Sequence, residues 1–280
     1  MDPGEYKRAS HAVWHAVAGG WDERHSYMEQ VARPVTERLI ERLAPKPGHT
    51  VLELAGGTGV VGLAVAIGLQ GEGRVLVSDF SEPMVDAARR HGDELGLANV
   101  EYRVLDAEDL DLPDDSVDRV VCRWGYMLMP EPAKALGETR RVLRPEGRLS
   151  FAVFGPAEDN PWASIPAAVL MERGHMPAPE AGAPGILALG DRDRLRQLVV
   201  QAGFSYPTID EVAFTWTYAS EDDHWQFLTG VAGGISMVLD KLDEPELRDV
   251  RAEVLARLAP YGAPDGGLAL PALCLVASTS

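Results

Sequence analysis

The chain has 280 residues, 46% of them hydrophobic, which suits one sizeable domain or a core with attached lobes. Its formal net charge is −17, and so acidic a surface repels phosphate backbones and anionic lipids, which argues against nucleic-acid and membrane partners. The first residues lack the apolar stretch of a signal peptide, and no apolar run approaches the roughly 18 residues that a membrane span needs.

Residues 1–45 predict a helical cap. Aromatic, histidine and charged residues follow one another there without the alternation that is typical of a strand. Every fourth position from Val31 to Leu43 is apolar, which indicates one face of a helix. Pro45 and Pro47 then end the predicted helix ahead of the core.

The segment 51–59, which reads VLELAGGTG, is the centre of the predicted core. A short apolar run that ends in glycines predicts a buried strand, and the longer apolar run at 60–69 predicts a helix. Strand, glycine turn and helix form the start of a nucleotide-binding βαβ unit, in which the glycines let a ligand approach the backbone. Gly57, Gly59 and Gly62 also match the G-x-G-x-x-G spacing of dinucleotide-binding folds.

The alternation of strand and helix continues to about residue 155. Ser81 is a candidate N-cap for the helix after the second strand, and a turn at 145–147 is expected to precede the fifth strand. Strands and helices that alternate at this spacing predict a parallel sheet with helices on both faces. The predicted strands after the first are 74–79, 100–106, 117–122 and 148–154, and the predicted helices between them begin near residues 60, 82 and 131.

Beyond residue 155 the pattern is looser. Residues 176–190 are rich in proline, glycine and alanine and predict a loop. Asp191, and the pair Ser220 and Asp223, are candidate helix caps. The predicted helices are 161–174, 191–202, one that begins near 221, and 244–258, and the predicted strands are 209–218 and 268–277.

The two cysteines, Cys122 and Cys274, both fall in apolar, strand-like runs. We interpret them as small buried hydrophobic residues rather than as a disulfide or a metal site. This cysteine usage predicts a reducing, cytoplasmic compartment.

Acidic residues mark the carboxyl edge of three consecutive predicted strands: Glu53, Asp79 and Asp106. In a doubly wound sheet the ligand lies outside this edge. Asp79 follows Gly57 by 22 residues, where a carboxylate can hold both ribose hydroxyls, and Asp106 is placed to meet an adenine amino group. A free ammonium on the ligand suits the negative charge of Glu53. The pattern therefore predicts an adenosine with an attached amino acid better than a pyrophosphate, although each acid alone also suits an ordinary strand-end turn.

Over residues 48–155 the sequence resembles the class I S-adenosylmethionine-dependent methyltransferases, especially the ubiquinone/menaquinone-biosynthesis-like group. Five segments match that family's motifs in order. They are ELAGGTG at 53–59, DFSEPM at 79–84, DAE at 106–108, LPDDSVD at 112–118 and RRVLRPEG at 140–147. The last departs from the usual R-V-L-x-P-G-G pattern because Glu146 replaces the first of its two glycines.

The resemblance implies a doubly wound, Rossmann-like, mostly parallel seven-stranded sheet with an antiparallel last strand, a helical N-terminal cap and a helical C-terminal insertion. It also implies S-adenosyl-L-methionine as the cofactor, with Phe80 and Met84 against the adenine and Arg123 and Trp124 near the methionine end. The predicted cofactor-binding residues are Glu53, Ala55, Gly56, Gly57, Gly59, Asp79, Phe80, Met84, Asp106, Ala107, Glu108, Arg123 and Trp124.

We therefore divide the chain into three predicted parts. Residues 1–45 are the cap, 46–155 the cofactor-binding core, and 156–280 the part that completes the sheet. Within the last part, a helical insertion at about 220–262 is expected to cover the substrate together with the cap. The core strands use their carboxyl ends for the cofactor, which leaves few of their side chains to contact a substrate.

No motif identifies a catalytic base. An oxygen or carbon nucleophile usually needs one, whereas an amine only has to arrive neutral. The run from Glu221 to His224 resembles a metal cluster only superficially, since helix capping explains it better, and we predict no metal site. The histidines of the flanking lobes are the candidate bases: His11, His15, His25, His175 and His224.

The predicted function is methylation of a small, apolar or aromatic molecule at oxygen, carbon or nitrogen. The flanking lobes hold many tryptophans and methionines, which suit a planar or greasy acceptor but equally suit the lobes' own cores. Two alternatives are an NAD(P)-dependent oxidoreductase, from the glycine spacing, and a non-catalytic S-adenosylmethionine-binding module. The tryptophans concerned are Trp14, Trp21, Trp162, Trp216 and Trp225, and the methionines are Met127, Met129, Met171, Met176 and Met237.

Overall fold

A computed structural model describes residues 2–180, 182–264 and 266–279. The strands are β1 (Thr50–Glu53), β2 (Arg74–Asp79), β3 (Val100–Val104), β4 (Val117–Arg123), β5 (Leu143–Phe154), β6 (Thr208–Tyr218) and β7 (Leu268–Thr279). The helices are α1 (Pro3–Ala16), α2 (Ala18–Glu23), α3 (His25–Val31), α4 (Arg33–Leu43), α5 (Val60–Gly68), α6 (Glu82–Glu94), α7 (Pro132–Val142), α8 (Pro161–Glu172), α9 (Arg192–Gln201), α10 (Glu221–Gly230), α11 (Gly234–Leu239) and α12 (Glu244–Leu258).

The seven strands form one sheet in the order β3-β2-β1-β4-β5-β7-β6. β1 to β5 pair in parallel, and β7 runs antiparallel to both of its neighbours, β5 and β6. α4 and α5 pack on one another and on the sheet, α6 packs on β2 and β3, and α7 on β5. This arrangement confirms the predicted fold class, and it places the reversal of strand order between β1 and β4, where a doubly wound sheet binds its ligand.

Local structure differs from the sequence expectations at three places. The helical stripe predicted from Val31 to Leu43 is divided between α3 and α4 at Ala32, with a proline in the first turn of α4. The turn expected at 145–147 lies inside β5, because Leu143 already pairs with Val117 before a bulge. α11 was not expected. Its six residues form a single short turn between loops, a length at which apolar periodicity carries no signal.

The caps follow the prediction in two cases and differ in the third. Asp191 and Ser220 each accept a hydrogen bond from the backbone N–H three residues on, at the start of α9 and α10. Ser81 occupies the N-cap position of α6, but its hydroxyl makes no capping bond. The carboxylate of Asp79 accepts the Ser81 backbone N–H at 2.9 Å.

The cap contacts the C-terminal part of the chain directly. The Trp21 indole donates to the carbonyl of Val231 at 3.1 Å, and Arg42 forms a bidentate pair with Asp210 on β6. Gly20 lies so close to the backbone of residue 230 that any side chain there would collide with it. Residues 1–45 therefore contact the end of α10 directly.

Two further expectations concern the cysteines and membrane-spanning helices. Cys122 on β4 and Cys274 on β7 are buried free thiols, as predicted. Along the described residues, no helix is long and apolar enough to cross a membrane.

Candidate active site

A large cavity opens at the carboxyl ends of β1, β2 and β4, beneath α1 and α10. It encloses about 1330 Å³ when the solvent-filled space of its open mouth is counted. Its wall divides into two halves. Charged side chains and glycines follow β1 to β4, and aromatic and apolar side chains come from the cap and from the chain beyond residue 124. The cavity therefore presents two surfaces of different polarity.

The glycine turn after β1 shapes the floor of the charged half. Gly57 has φ +54°, a left-handed conformation that favours glycine, and the nearest atom to an added Cβ would be the sulfur of Met84 at 3.9 Å. Gly56 lies so close to Glu53 that a Cβ would come within 2.8 Å of the carboxylate. The turn thus leaves its backbone open to a ligand, as the sequence spacing predicts.

The other two glycines of the motif pack helices and do not line the cavity. Gly59 has φ +83° and faces Ala88 of α6, and a Cβ on Gly62 would collide with Glu53 and Val77. Both allow α5 and α6 to approach the sheet closely, which is a known role of glycine in such units. Gly59 is therefore the one predicted cofactor-binding residue that does not line the cavity.

Asp79 closes β2 and holds the glycine turn. Its carboxylate accepts the backbone N–H groups of Gly57 and Ser81, each at 2.9 Å, and it is only 7% exposed. Burial raises the pKa of Asp79, and these N–H groups oppose the shift. The carboxylate borders the cavity, so it has both a structural and a ligand-facing position.

Lys7 reaches from α1 to the turn after β3. Its ammonium lies 2.6 Å from the Asp106 carboxylate and 2.5 Å from that of Glu108. Burial lowers the pKa of Lys7, but hydrogen bonds and the charges of both acids outweigh it and raise the pKa overall. Asp106 also accepts the backbone N–H of Glu108 at 2.9 Å. Nothing in the sequence singles out Lys7, because it is one cation on a mostly exposed helix.

Known proteins match this geometry. A family model described as a methyltransferase domain matches residues 51–147. A ubiquinone/menaquinone biosynthesis C-methyltransferase of Hydrogenovibrio crunogenus is 32% identical over 203 residues, which cover 69% of this chain and 80% of that protein. The chain belongs to the class I S-adenosylmethionine-dependent methyltransferases.

Two further comparisons concern a second sequence relative and the fold. Demethylmenaquinone methyltransferase of Clavibacter sepedonicus is 30% identical over 227 residues, covering 79% of this chain and 81% of that protein. The solved structure of the YcgJ protein from Bacillus subtilis has a TM-score of 0.59 at 19% identity and covers 87% of this chain and 96% of that one, which shows the shared fold. The chain is therefore an enzyme that methylates a small molecule with S-adenosylmethionine, as the sequence resemblance implies.

The deepest part of the charged half suits the amino-acid end of that cofactor. Glu53 is 1% exposed, and its Oε2 atom has no hydrogen-bond partner among the described residues. Burial raises the pKa of Glu53 to about 8, although the Arg123 guanidinium opposes this. Burial lowers the pKa of Arg123 to about 10, and its described hydrogen bonding is a single bond to Thr36, at 3.0 Å. A buried acid beside a largely buried cation matches an ammonium and a carboxylate on one ligand.

The predicted cofactor-binding residues other than Gly59 all line this one cavity. Two of them have a strained backbone: Ala55 has φ +49° and Trp124 has φ +65°. Such left-handed residues cost on the order of 1–3 kcal/mol, and they cluster at functional sites. The Trp124 ring is held by stacking on Phe154 at 4.8 Å and by an N–H bond to the Cys274 sulfur.

The aromatic half contains part of the tryptophan and methionine set that the sequence indicated, together with other apolar residues. Trp14, Trp21, Trp162, Trp216, Met127 and Met129 line it, as do Phe154, Ile186, Phe227 and Val231. Trp225 lies elsewhere, with Arg251 over its ring, and Met171, Met176 and Met237 do not line the cavity. High aromatic content in the lobes was the available signal, but it could not separate these residues from the lobe cores.

None of the described histidines lines the cavity, although the ring of His11, one of the candidate bases, meets the lining residue Phe80 edge-on at 5.4 Å. His25 stacks on His91 at 3.7 Å and bonds to Thr58 behind the glycine turn. His224 is fully buried beside Tyr218, and burial lowers its pKa to about 4. The ionisable side chains of the cavity all lie in its charged half: Lys7, Glu53, Asp79, Asp106, Glu108 and Arg123.

Proposed function

We propose that this methyltransferase transfers a methyl group to a carbon atom of a small aromatic acceptor of the quinol type. The observation that supports this most is the division of one cavity into a charged half and an aromatic half without an ionisable side chain. The names of the curated relatives add support, since they refer to C-methylation in ubiquinone and menaquinone biosynthesis and to demethylmenaquinone. An electron-rich ring fits walls of tryptophan, phenylalanine and methionine.

We place the cofactor along the charged half. In this proposal Asp79 accepts both ribose hydroxyls, Phe80 and Met84 contact the adenine, and the turn 106–108 borders its amino group. Glu53 pairs with the ammonium of the methionine end, and Arg123 with its carboxylate. The bound cofactor supplies a methyl group already activated on a sulfonium.

The protein's task is then alignment and exclusion of water. An in-line displacement needs the acceptor atom close to the methyl and opposite the sulfur. The aromatic walls orient a flat ring, and the cap and α10 cover it from solvent. Because no histidine lines the cavity, the acceptor has to bring its own activation. A quinol that enters as its phenolate, with its proton already given to water, brings this activation because the anion's ring carbon is nucleophilic. The new C–C bond replaces the S–CH3 bond, S-adenosylhomocysteine leaves, and the ring carbon then loses its own proton to water.

The division of the chain at 1–45, 46–155 and 156–280 belongs to the same proposal. Both the cap and the insertion at about 220–262 contribute lining residues, including Trp14 and Phe227. Ile186, Trp162 and Trp216 line the cavity from outside these two segments, so the acceptor is contacted by more of the chain than the cap and insertion.

A cytoplasmic location and the absence of nucleic-acid partners also remain proposals. The net charge of −17 argues against binding to phosphate backbones, and two buried thiols suit a reducing compartment.

The test is transfer from methyl-labelled S-adenosylmethionine to a panel of quinols, phenols and amines of similar size. We expect S-adenosylhomocysteine and a carbon-methylated product from quinols, identified by mass spectrometry and NMR. Methylation of amines alone would overturn the acceptor class. Cofactor binding without S-adenosylhomocysteine formation on any acceptor would favour a non-catalytic module.

A further inference from the structure

Several tryptophans line the cavity, and their indole N–H groups are used differently. The N–H of Trp21 donates to a backbone carbonyl and that of Trp124 to a cysteine sulfur, both at 3.1 Å. The N–H groups of Trp162 and Trp216 are buried, and neither has a hydrogen-bond partner among the described residues. Two buried donors in the same wall are therefore unsatisfied by the protein itself.

The side chains packed against these two rings are aromatic. The Trp162 and Trp216 rings lie 5.3 Å apart, Phe154 is 4.9 Å from Trp162, and Phe227 is 5.2 Å from Trp216. Aromatic carbon accepts hydrogen bonds only weakly. Leaving a buried donor without a partner is unfavourable, and native proteins rarely keep such groups without a reason. Both rings line the cavity, so a ligand seated against them can bring an acceptor atom to these N–H groups.

We infer that Trp162 and Trp216 recognise a hydrogen-bond-accepting oxygen on the methyl acceptor. This rests on the proposed function, in which the aromatic half holds that molecule. The indole N–H is a donor only, and the side chains of this half offer no acceptor stronger than the methionine thioethers. The wall therefore selects a planar ring that carries a carbonyl or phenolate oxygen, and it disfavours one whose polar groups can only donate.

The chemistry of the acceptor follows from this recognition. An oxygen whose lone pairs are held by two indoles is not free to attack the sulfonium methyl. The oxygen at Trp162 and Trp216 is thus a recognition group, and a different atom of the acceptor receives the methyl. Trp162 and Trp216 act as specificity-determining residues for the substrate.

The test uses two small probes that differ only by one oxygen, 1-indanone and indane. Each is titrated into the protein saturated with S-adenosylhomocysteine, and the ratio of the two dissociation constants is measured. We expect the parent to prefer the ketone by about tenfold, the order of magnitude of a buried hydrogen bond. Trp162→Phe and Trp216→Phe remove the N–H, and each should reduce this preference several-fold. Trp21→Phe is the matched control, because its N–H already donates to the protein, and it should keep the parent ratio.

Because the measured quantity is a ratio of two dissociation constants, packing changes that weaken both probes equally have no effect on it. Should a phenylalanine variant fail to fold, benzothienylalanine at the same position keeps the ring shape and removes only the donor. A parent that binds both probes equally, or Trp162 and Trp216 variants that keep the parent ratio, would overturn the inference. The measurement needs no methyl transfer, so it is independent of the test of the proposed function. If no acceptor in the transfer panel is methylated, the binding ratio can still be measured. If the tryptophan variants keep the parent ratio, methyl transfer to quinols can still be observed.

Discussion

The two halves of the cavity are built from different parts of the chain. Apart from Lys7 of α1, the charged half comes from consecutive strand ends between Glu53 and Trp124, and its shape is fixed by backbone hydrogen bonds such as those to Asp79. The aromatic half combines the cap with segments scattered from residue 127 to 234, and ring packing holds it together. The first half is therefore sensitive to backbone changes, whereas the second can change its side chains and leave the cofactor in place.

The largest effect on cofactor affinity is expected from Gly57→Val. A branched side chain would enter the charged half and strain a residue at φ +54°. We expect affinity for S-adenosylhomocysteine, measured by calorimetry, to fall roughly a hundredfold, equivalent to about 2.7 kcal/mol. Gly96→Val is the control, since Gly96 has φ +67° with nothing near its Cβ and lies away from the cavity. Equal losses of affinity in both variants would mean that strain alone explains the result.

Asp79→Asn should have the next largest effect. Removing the charge weakens the proposed ribose contact by about 2 kcal/mol, or some thirtyfold in affinity. Because the carboxylate also accepts two backbone N–H groups, we expect a loss of unfolding free energy as well, measured in urea. Asp118→Asn is the matched control, because Asp118 on β4 also accepts a backbone N–H, that of Thr50, at 2.8 Å. It should lose stability and keep affinity, and the ribose role is wrong if Asp79→Asn behaves the same way.

Glu53 should couple cofactor binding to proton release. With its pKa raised from 4.5 to about 8, the folded protein holds a proton there at pH 7 that the unfolded chain has lost. The free energy of unfolding of the ligand-free protein should therefore decline as the pH rises from 4.5 to about 8. A ligand ammonium favours the ionised form, so binding at pH 7 should release up to about one proton.

Calorimetry of S-adenosylhomocysteine binding in buffers of different ionisation enthalpy measures this proton. Glu53→Gln should remove the release. A heat of binding in the parent that does not depend on the buffer would contradict the pairing of Glu53 with the ammonium.

The smallest effect on cofactor affinity is expected from Ile186→Ala in the aromatic half. Lost apolar contact should raise the KM of a methyl acceptor about tenfold, while cofactor affinity stays within about twofold. Ile67→Ala serves as control, because Ile67 is 52% exposed on α5 and remote from the cavity. A comparable loss of cofactor affinity in Ile186→Ala would show that the two halves are not independent.

Local features explain what could be predicted from the sequence. Glu53, Asp79 and Asp106 end or adjoin strands, and parallel strands bring such positions to one edge whatever the rest of the fold does. The glycine spacing predicted the turn, but spacing alone does not tell a ligand-facing glycine from one that packs helices, and Gly59 packs against α6 without lining the cavity.

Long-range packing explains what could not be predicted. Trp162 and Trp216 are 54 residues apart in sequence, and only the packing of α8 against the sheet brings their rings within 5.3 Å. The left-handed backbone of Trp124 has no sequence signal, because tryptophan rarely adopts it. Lys7 gains its partners only when α1 folds over the turn after β3.

The bridge from Lys7 to Asp106 and Glu108 has a consequence for the catalytic cycle. It ties α1 to the turn after β3 along the wall of the charged half, and the Lys7 and Asp106 side chains are 32% and 36% exposed. Dissolved salt screens such partly exposed pairs, whereas it leaves packed rings in contact. Movement of α1 away from the turn after β3 should therefore become easier at high ionic strength, and rates of cofactor binding and release compared at low and high salt would show it.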